Sequence, residues 1–530
     1  MGPKIRYLDA SAIILVSKGL KAYSALAVLA VLDLAACSSS PSPKPVAGPP
    51  TIAAKEAPMQ PAATDPLAEV RPMIAAGNWP QALAALRSIM DSKAYASLTS
   101  EVQYQVLSTA GGVAIKHGSP ELAQEYLRRV TAMSQADYSD WARRLDAAYK
   151  LKDEADSITT LTVLMQRWPD RATKLNPDGI LWVANDARRL HNGGSLSLLK
   201  ALYDAHWKLK WEIEPSKIWW DLSLRLIQDN RLAEASEVSS HVTDVYVLIA
   251  MRADRRFDAV LAANSELFDI GAATQRELQT YQILADKSPH SLYLRSLVIN
   301  SLLNRQHYEA ALAASDSILQ DIRSTNYPER QWQDFAQYRS WFFELRSTAL
   351  ERVGRWDEAV AQLTAASRLT EKYSGNVDQL IDLGNLYCSL GRPKDALSAI
   401  ASVAAAASPY GAMVLESVRM DAASQLGDSQ QVRRSLQYLR SHRSDAPIVY
   451  ELDLITLNRL DQAAHELAAQ LMNARERQDA LLDIQSFAAT PESPRDVEFD
   501  ARHRAVIAMP EVQEAIRKVG RVESYALESP

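Results

Sequence analysis

The side chains able to bind a metal or act as nucleophiles do not form a recognisable site in this sequence. His465 and Glu466 begin like the helical zinc-protease motif, in which a second histidine follows the first by four residues. Ala469 occupies that position, and one imidazole cannot supply the protein ligands that a zinc ion needs. Cys388 lies inside an apolar helical pattern, where cysteine usually packs as a small apolar side chain. We therefore predict no catalytic residue, no metal site and no cofactor.

A group of tryptophans is the most prominent candidate for ligand binding. Trp182, Trp207, Trp211, Trp219 and Trp220 fall within forty residues of one another. Trp207 and Trp211 are four residues apart, which places them on one face if this stretch is a helix. Exposed rings can stack on sugars or anchor a partner protein, although packing in a core is the commoner use of tryptophan and accounts for Trp219. The candidates for partner binding are Trp182, Trp207, Trp211 and Trp220.

The first 36 residues are typical of a secretory signal. Lys18 and Lys21 precede a short apolar run, residues 22–32, and two alanines at 35–36 end the segment. A short basic stretch, a short apolar core and small residues at the end are the three parts of a cleavable signal. The apolar run is too short to be a spanning helix. We predict that residues 1–36 are a signal peptide.

Cys37 follows this signal directly. The residues Leu-Ala-Ala-Cys that end at Cys37 closely resemble the bacterial lipobox, which implies cleavage before Cys37 and attachment of lipid to it. Ser38 resembles the residue that directs such proteins to the outer membrane. Residues 37–66 contain eight prolines and few large apolar side chains, so they predict a lipid-anchored tether rich in Pro, Ala and Ser. The expected localisation is the bacterial cell envelope, as an outer-membrane lipoprotein that faces the periplasm.

Between residues 380 and 403, large and small residues alternate at the spacings of two helices. Leu380, Leu383 and Tyr387 lie three or four residues apart and share one helix face. The first helix ends at a glycine, and a second apolar stripe begins after it. The positions of the whole pattern are Leu380, Leu383, Gly384, Tyr387, Gly391, Ala396 and Ile400. Because Gly384 and Ala396 have little or no side chain, the two helices can pack closely.

This pattern resembles the tetratricopeptide (TPR) motif, a repeat of helix, turn and helix about 34 residues long. Turn residues recur at similar intervals elsewhere in the chain. Lys152 follows Gly118 by 34 residues. Gly391 follows Gly354 by 37 residues, and Gly427 follows Gly391 by 36. The resemblance implies an all-α fold, a degenerate TPR-like α-solenoid in which antiparallel helix pairs form a superhelix.

The helical pattern does not continue to the last residue. It covers residues 67–485 and then gives way to a connector. Val512, Ile516 and Val519 form one apolar face of a single amphipathic helix beyond it. Since the open end of a solenoid exposes apolar surface, we predict that residues 486–530 form a connector and a C-terminal capping helix.

These features favour a binding protein that performs no chemical step. The concave side of a solenoid offers a long groove for a peptide, a helix or a protein surface. The net charge is −6, so the chain lacks the basic surface that nucleic-acid binding requires. We expect a lipid-anchored periplasmic TPR scaffold or adaptor, held at the membrane by its anchor, whose protein or peptide partners belong to an envelope assembly or secretion system. The alternative is a glycan- or peptidoglycan-acting enzyme, or a ligand-binding protein, that uses the Trp182–Trp220 region.

Overall fold

The computed structural model describes residues 65–190, 193–325, 327–369, 377–403, 408–491 and 493–530. The predicted signal peptide, Cys37 and nearly all of the predicted tether lie outside the described residues. The described chain falls into two compact units, which comprise residues 65–207 and 208–530. Both units consist of α-helices joined by short turns, and the described chain is a TPR-like α-solenoid as predicted.

The first unit is a row of helices in which most helices pack against their neighbours in sequence. Its helices are α1 (Val70–Ala75), α2 (Trp79–Asp91), α3 (Ser100–His117), α4 (Pro120–Thr131), α5 (Tyr138–Leu151), α6 (Glu154–Arg167), α7 (Pro169–Ala172), α8 (Pro177–Leu190) and α9 (Gly193–Asp204). A single 3₁₀ turn, Tyr95–Ser97, precedes α3.

The second unit continues the same architecture and adds two very short strands. Its helices are α10 (Ser216–Gln228), α11 (Leu232–Ser239), α12 (Val245–Ala253), α13 (Asp258–Ala263), α14 (Ile270–Lys287), α15 (Leu292–Asn304), α16 (Tyr308–Ser324), α17 (Pro328–Gln331), α18 (Phe335–Arg352), α19 (Trp356–Ser367), α20 (Val377–Ser389), α21 (Pro393–Ile400), α22 (Pro409–Leu426), α23 (Ser429–Ser441), α24 (Pro447–Thr456), α25 (Leu460–Met472), α26 (Arg477–Asp483), α27 (Pro494–Ile507) and α28 (Pro510–Val519). Turns of 3₁₀ helix lie at Lys210–Glu212, Arg255–Phe257 and Arg443–Asp445. The strands are β1 (Ser486–Phe487) and β2 (Ser524–Tyr525), which pair in parallel.

The turn inside a helix pair is made by one residue with a positive φ angle. At Gly118 (φ 82°) the chain turns out of α3, and the amides of Gly118 and Ser119 donate to the carbonyls of Ile115 and Ala114. A residue in this left-handed conformation is a common way to end a helix. All the turn positions that set the predicted repeat period have positive φ: Gly118, Lys152, Gly354, Gly391 and Gly427. The spacing in the sequence therefore marks the real helix pairs.

The pair α20–α21 packs as its residue pattern predicted. A Cβ atom added to Gly384 would lie 2.9 Å from Ile400 Cγ2 and 2.9 Å from Val418 Cγ1. Only a glycine allows α20 to approach both α21 and α22 so closely. Leu380 and Tyr387 are half-buried against the same core. Cys388 is buried as well, which confirms that it is a packed thiol.

Helix α28 packs on α25 and covers the last helix pair of the array, which confirms the predicted capping helix. Helix α27 lies against α20, α24 and α25. The second unit also closes on itself, because α26 packs against α12. Ala253 at the end of α12 belongs to the same apolar core as Leu481 of α26. Residues far apart in sequence are thus brought together at the ends of these helices.

Candidate partner-binding site

The tryptophan candidates mainly serve packing. Trp207 and Trp220 are 1% and 6% exposed, so their rings are not available to a partner in this conformation. Trp182 is partly buried and meets Tyr149 edge to face, with ring centroids 4.8 Å apart. Trp219 is a buried core residue, as its place in the repeat pattern predicted.

The expectation that Trp207 and Trp211 share a helix face is wrong. Helix α9 ends at Asp204, and His206 then turns the chain with a φ of 51°. Trp211 lies beyond this turn with a φ of 60°, outside any α-helix. Its ring stacks on Tyr293 with centroids 4.6 Å apart, and the Lys210 ammonium lies 4.1 Å from its centre. Because both neighbours cover the ring, Trp211 does not offer an open stacking face.

The feature that the sequence did not reveal is an extended stretch after the capping helix. Residues 520–528, here called the return segment, leave α28 and run back along the second unit. The return segment starts at Gly520, where an added Cβ atom would lie 2.5 Å from the Ala253 carbonyl oxygen and 2.5 Å from Leu481 Cδ2. No side chain fits there, so the start of the return segment is fixed between α12 and α26.

The array holds the backbone of the return segment on one side by strand pairing. β2 of the return segment lies parallel to β1, with Ser486 opposite Ser524. The Ser486 amide donates to the Glu523 carbonyl at 3.0 Å, and the Ala488 amide donates to the Leu527 carbonyl at 2.9 Å. These bonds involve only the main chain, so any extended segment could make them.

On the other side, the return segment contacts the C-terminal ends of helices. The last carbonyls of a helix have no partner within that helix and must be satisfied from outside. The Arg521 amide donates to the Ala253 carbonyl of α12 at 2.9 Å, and the Glu528 amide donates to the Asn304 carbonyl of α15 at 2.8 Å. The Tyr246 hydroxyl donates to the Glu528 carbonyl at 2.8 Å. The return segment therefore completes the hydrogen bonding of helices that belong to different pairs.

One ion pair anchors the return segment to the array. The Arg352 Nε atom donates to the Glu528 carboxylate at 2.6 Å, and Nη2 of the same guanidinium lies 2.5 Å from that carboxylate as an ion pair. The two side chains are 0% and 1% exposed, so both charges are removed from water. A second pair, Arg252 with Glu523 at 2.7 Å, is about one-third exposed and contributes less. Arg352 is thus the residue of the array that selects a carboxylate at this position.

Helix α27 precedes the return segment and is held by similar contacts. The Ser493 hydroxyl donates to the Ser389 carbonyl at the end of α20, at 2.9 Å. Arg502 donates to the Thr456 carbonyl at the end of α24, at 3.0 Å. Helix α27 and the return segment therefore both form hydrogen bonds with carbonyls at the C-terminal ends of the array's helices.

His503 of α27 forms a charged contact with the end of the array. Its Nε2 atom lies 3.0 Å from an oxygen of Asp483, and the nearby Glu451 is fully buried. Burial lowers the pKa of His503, but the charge of Asp483, the hydrogen bond with it and the charge of Glu451 together raise the pKa to about 9. Burial raises the pKa of Glu451, and the charge of Asp483 raises it further. The protonated imidazole and the Asp483 carboxylate thus bind α27 to α26.

This arrangement is suited to holding an extended polypeptide. It supplies main-chain donors and acceptors, one buried cation and apolar contacts for Tyr525 and Leu527, which are both buried. Across the residues that the structure describes, no group of three or more His, Cys, Asp or Glu side chains could hold a metal ion. No helix in the described ranges is long and apolar enough to span a membrane.

Sequence reasoning missed this site because its signals are weak. Tyr525 and Leu527 are two residues apart, as in a strand, but two apolar residues are too few to predict one. Arg352 ends a helix in which a basic residue is ordinary. Only the fold brings Arg352 and Glu528 together.

No protein-family profile matches the sequence, and neither does any curated protein. Among solved structures, the chain is similar to the crystal structure of the APC/C hetero-tetramer Cut9–Hcn1, with 12% identity, a TM-score of 0.28, and coverage of 85% of this chain and 95% of that chain. It is similar to a Rap protein complexed with competence and sporulation factor, with 14% identity, a TM-score of 0.29, and coverage of 82% and 98%. Yeast Tom70 matches with 10% identity, a TM-score of 0.29, and coverage of 85% and 98%. These likenesses are loose, and the function proposed below rests on the contacts within this chain.

Proposed function

We propose that this chain is a lipid-anchored periplasmic adaptor that binds protein or peptide partners of an envelope assembly or secretion system. The observation that carries the binding role is the return segment. The array already holds an extended polypeptide. The amides of Ser486 and Ala488 donate to carbonyls of the return segment, and the amides of Arg521 and Glu528 in the return segment donate to carbonyls of the array. A surface that binds one extended segment in this way has the groups needed to bind another.

The place in the cell is inferred from the sequence. The residues Leu-Ala-Ala-Cys before and at Cys37, and the Pro-rich stretch after it, support a lipid anchor followed by a tether. A tether of this length holds the array near a membrane while leaving it free to reach a partner. The anchor therefore sets where partners are met, and the helical array supplies the binding surface.

The glycan-acting alternative is not favoured by any contact of the tryptophans. It requires rings that are open to a sugar, but Trp207 and Trp220 are buried and Trp211 is covered by Tyr293 and Lys210. We therefore propose binding of polypeptides alone.

Chemical crosslinking in intact cells, followed by identification of the captured proteins, tests this function. The control is the Cys37→Ala chain, which cannot carry the lipid. We expect the wild type to capture one set of envelope proteins repeatedly and the control to lose most of that capture. Equal capture by both chains would contradict the anchored location. Absence of any reproducible partner at normal abundance would contradict the adaptor role.

A further inference from the structure

We propose that the surface beneath the return segment is a binding site for an extended segment of a partner protein that carries a glutamate, and that this segment takes the place of residues 520–528. The inference rests on the proposed function, because it assigns the site at which the array binds its partner. In the free protein the chain's own return segment occupies the site.

The main-chain part of the site accepts any extended segment. The amides of Ser486 and Ala488 point at the return segment, and so do the carbonyls of Ala253 and Asn304. All four groups lie on the array or on β1, and each contacts only backbone atoms of the return segment. A foreign segment that pairs in parallel with β1 satisfies the same groups, whatever its sequence.

The selective part of the site consists of Arg352 and Phe487. The Arg352 guanidinium is 1% exposed, so a segment without a carboxylate there would leave a buried charge unpaired. The Phe487 ring lies 5.9 Å from the Tyr525 ring and 6.1 Å from the Tyr246 ring, which provides an aromatic contact three residues before the glutamate. The partner that fits is therefore an extended segment with an aromatic residue followed three positions later by glutamate.

The composition of this contact favours exchange over permanent attachment. The return segment buries two apolar side chains, Tyr525 and Leu527, and otherwise depends on one buried ion pair, which adds little more stability than an apolar pair of the same size. Here the central contact is Arg352 with Glu528, and the strand pair is two residues long. In contrast, α28 buries a continuous apolar face of Val512, Ile516 and Val519. The capping helix thus remains fixed while the segment beyond Gly520 can be replaced.

The test uses the full chain with Glu528→Gln and a fluorescent peptide with the sequence of residues 521–530. The substitution leaves Arg352 without a counterion, so the return segment binds its site more weakly. Because the return segment is tethered to the site, it otherwise competes strongly with the added peptide. We expect the peptide to bind this variant about 100-fold more tightly than the wild type. A peptide with glutamine in place of Glu528 is expected to bind about 100-fold more weakly than the unmodified one.

Two further chains serve as controls. Glu498→Gln makes the same substitution in a carboxylate of α27 that is 64% exposed, and this chain should bind the peptide no better than the wild type. Glu523→Gln weakens the return segment's own pair with Arg252, which is about one-third exposed, and leaves every group of the array in place. We expect it to bind the peptide with an affinity between those of the wild type and Glu528→Gln, and it retains the test if Glu528→Gln does not fold.

Four results would overturn the proposal. The first is that the peptide binds none of the variants, which would make the return segment a permanent part of the fold. The second is equal binding of the glutamate and glutamine peptides, which would remove Arg352 as the selective group. The third is a dimer of the Glu528→Gln chain in light scattering, which would make a second copy the occupant. The fourth is partner capture in cells that is unchanged in Glu528→Gln although this chain does not bind the peptide. That result would overturn this site and leave the adaptor role standing.

Discussion

Replacing Arg352 with methionine is expected to release the return segment from the array. Methionine keeps much of the length of the side chain and removes its charge. Removal of one partner from a buried ion pair costs about 3–5 kcal/mol, because the remaining buried charge loses that counterion. Glu528 is fully buried in the folded chain. It avoids that cost by moving into water, and residues 520–528 leave with it.

Hydrogen exchange measures this release directly. The amides of Ser486, Ala488, Arg521 and Glu528 all donate to hydrogen bonds that form only when the return segment is docked. Since 1.4 kcal/mol corresponds to a factor of ten, a loss of about 3 kcal/mol accelerates their exchange by about 100-fold. The helices of the first unit should exchange as before.

Arg355→Met is the matched control for this prediction. Arg355 lies three residues further along the chain and pairs with Glu358 at 2.6 Å, but the two side chains are 44% and 57% exposed. Such an exposed pair contributes little to stability. Exchange at the four amides should therefore be unchanged in Arg355→Met. Protection that persists in Arg352→Met would show that the ion pair does not hold the return segment.

Raising the pH is expected to weaken the attachment of α27 through His503. The pKa of this imidazole is about 9 in the folded chain, against 6.5 for a free histidine. A raised histidine pKa stabilises the fold fully below pH 6.5, and the stabilisation is lost as the pH rises through about 9. Each unit of pKa difference corresponds to about 1.4 kcal/mol, so the loss is on the order of 3 kcal/mol.

The groups around His503 act in the same direction. Asp483 and Asp500 raise its pKa by their charge, as does Glu451. The pKa of Glu451 is itself raised above its ordinary value. An acid with a raised pKa contributes most when protonated, so its contribution also falls as the pH increases. Both groups therefore predict lower stability in alkaline solution.

Equilibrium urea unfolding of the wild type and His503→Gln at pH 6.5 and 9.5 checks this expectation. The wild type should lose more free energy of unfolding than the variant between the two values. His465→Gln is the matched control, because His465 is 84% exposed and its nearest carboxylate oxygen, on Glu511, is 3.7 Å away. Its pH dependence should follow that of the wild type. Equal pH dependence in His503→Gln and the wild type would contradict the role of His503.

The repeat architecture was predictable because its signals are local. Gly118 and Gly391 end helices with φ angles of 82° and 69°, which glycine adopts readily, and their spacing survives in the sequence. Gly384 likewise indicates a close approach of helices, which the structure contains. Such positions are constrained by neighbours within one or two repeats. A pattern of residue types was therefore enough to predict them.

The predicted tryptophan face was wrong and the return segment was not predicted, because both depend on information that is not local. His206 forms the turn before Trp207 in a conformation that glycine or asparagine usually adopts, so no typical turn residue marks this position in the sequence. Glu528 lies 176 residues from Arg352, and no periodic pattern relates them. Non-local pairs of this kind require the closed arrangement of the second unit, which composition and spacing did not indicate.

A reversible disulfide that holds the return segment in place tests most directly whether a partner segment binds where the return segment lies. Ser486 and Ser524 are opposite each other in the β1–β2 pair, so cysteines at these two positions are placed to form a disulfide while Phe487 and Arg352 stay in place. Crosslinking capture would be compared between the oxidised and reduced forms of the Ser486→Cys, Ser524→Cys chain, with each single variant as a control. We predict that the oxidised form loses its partner and that reduction restores it. Equal capture in both states, with the disulfide shown to be formed, would contradict the account.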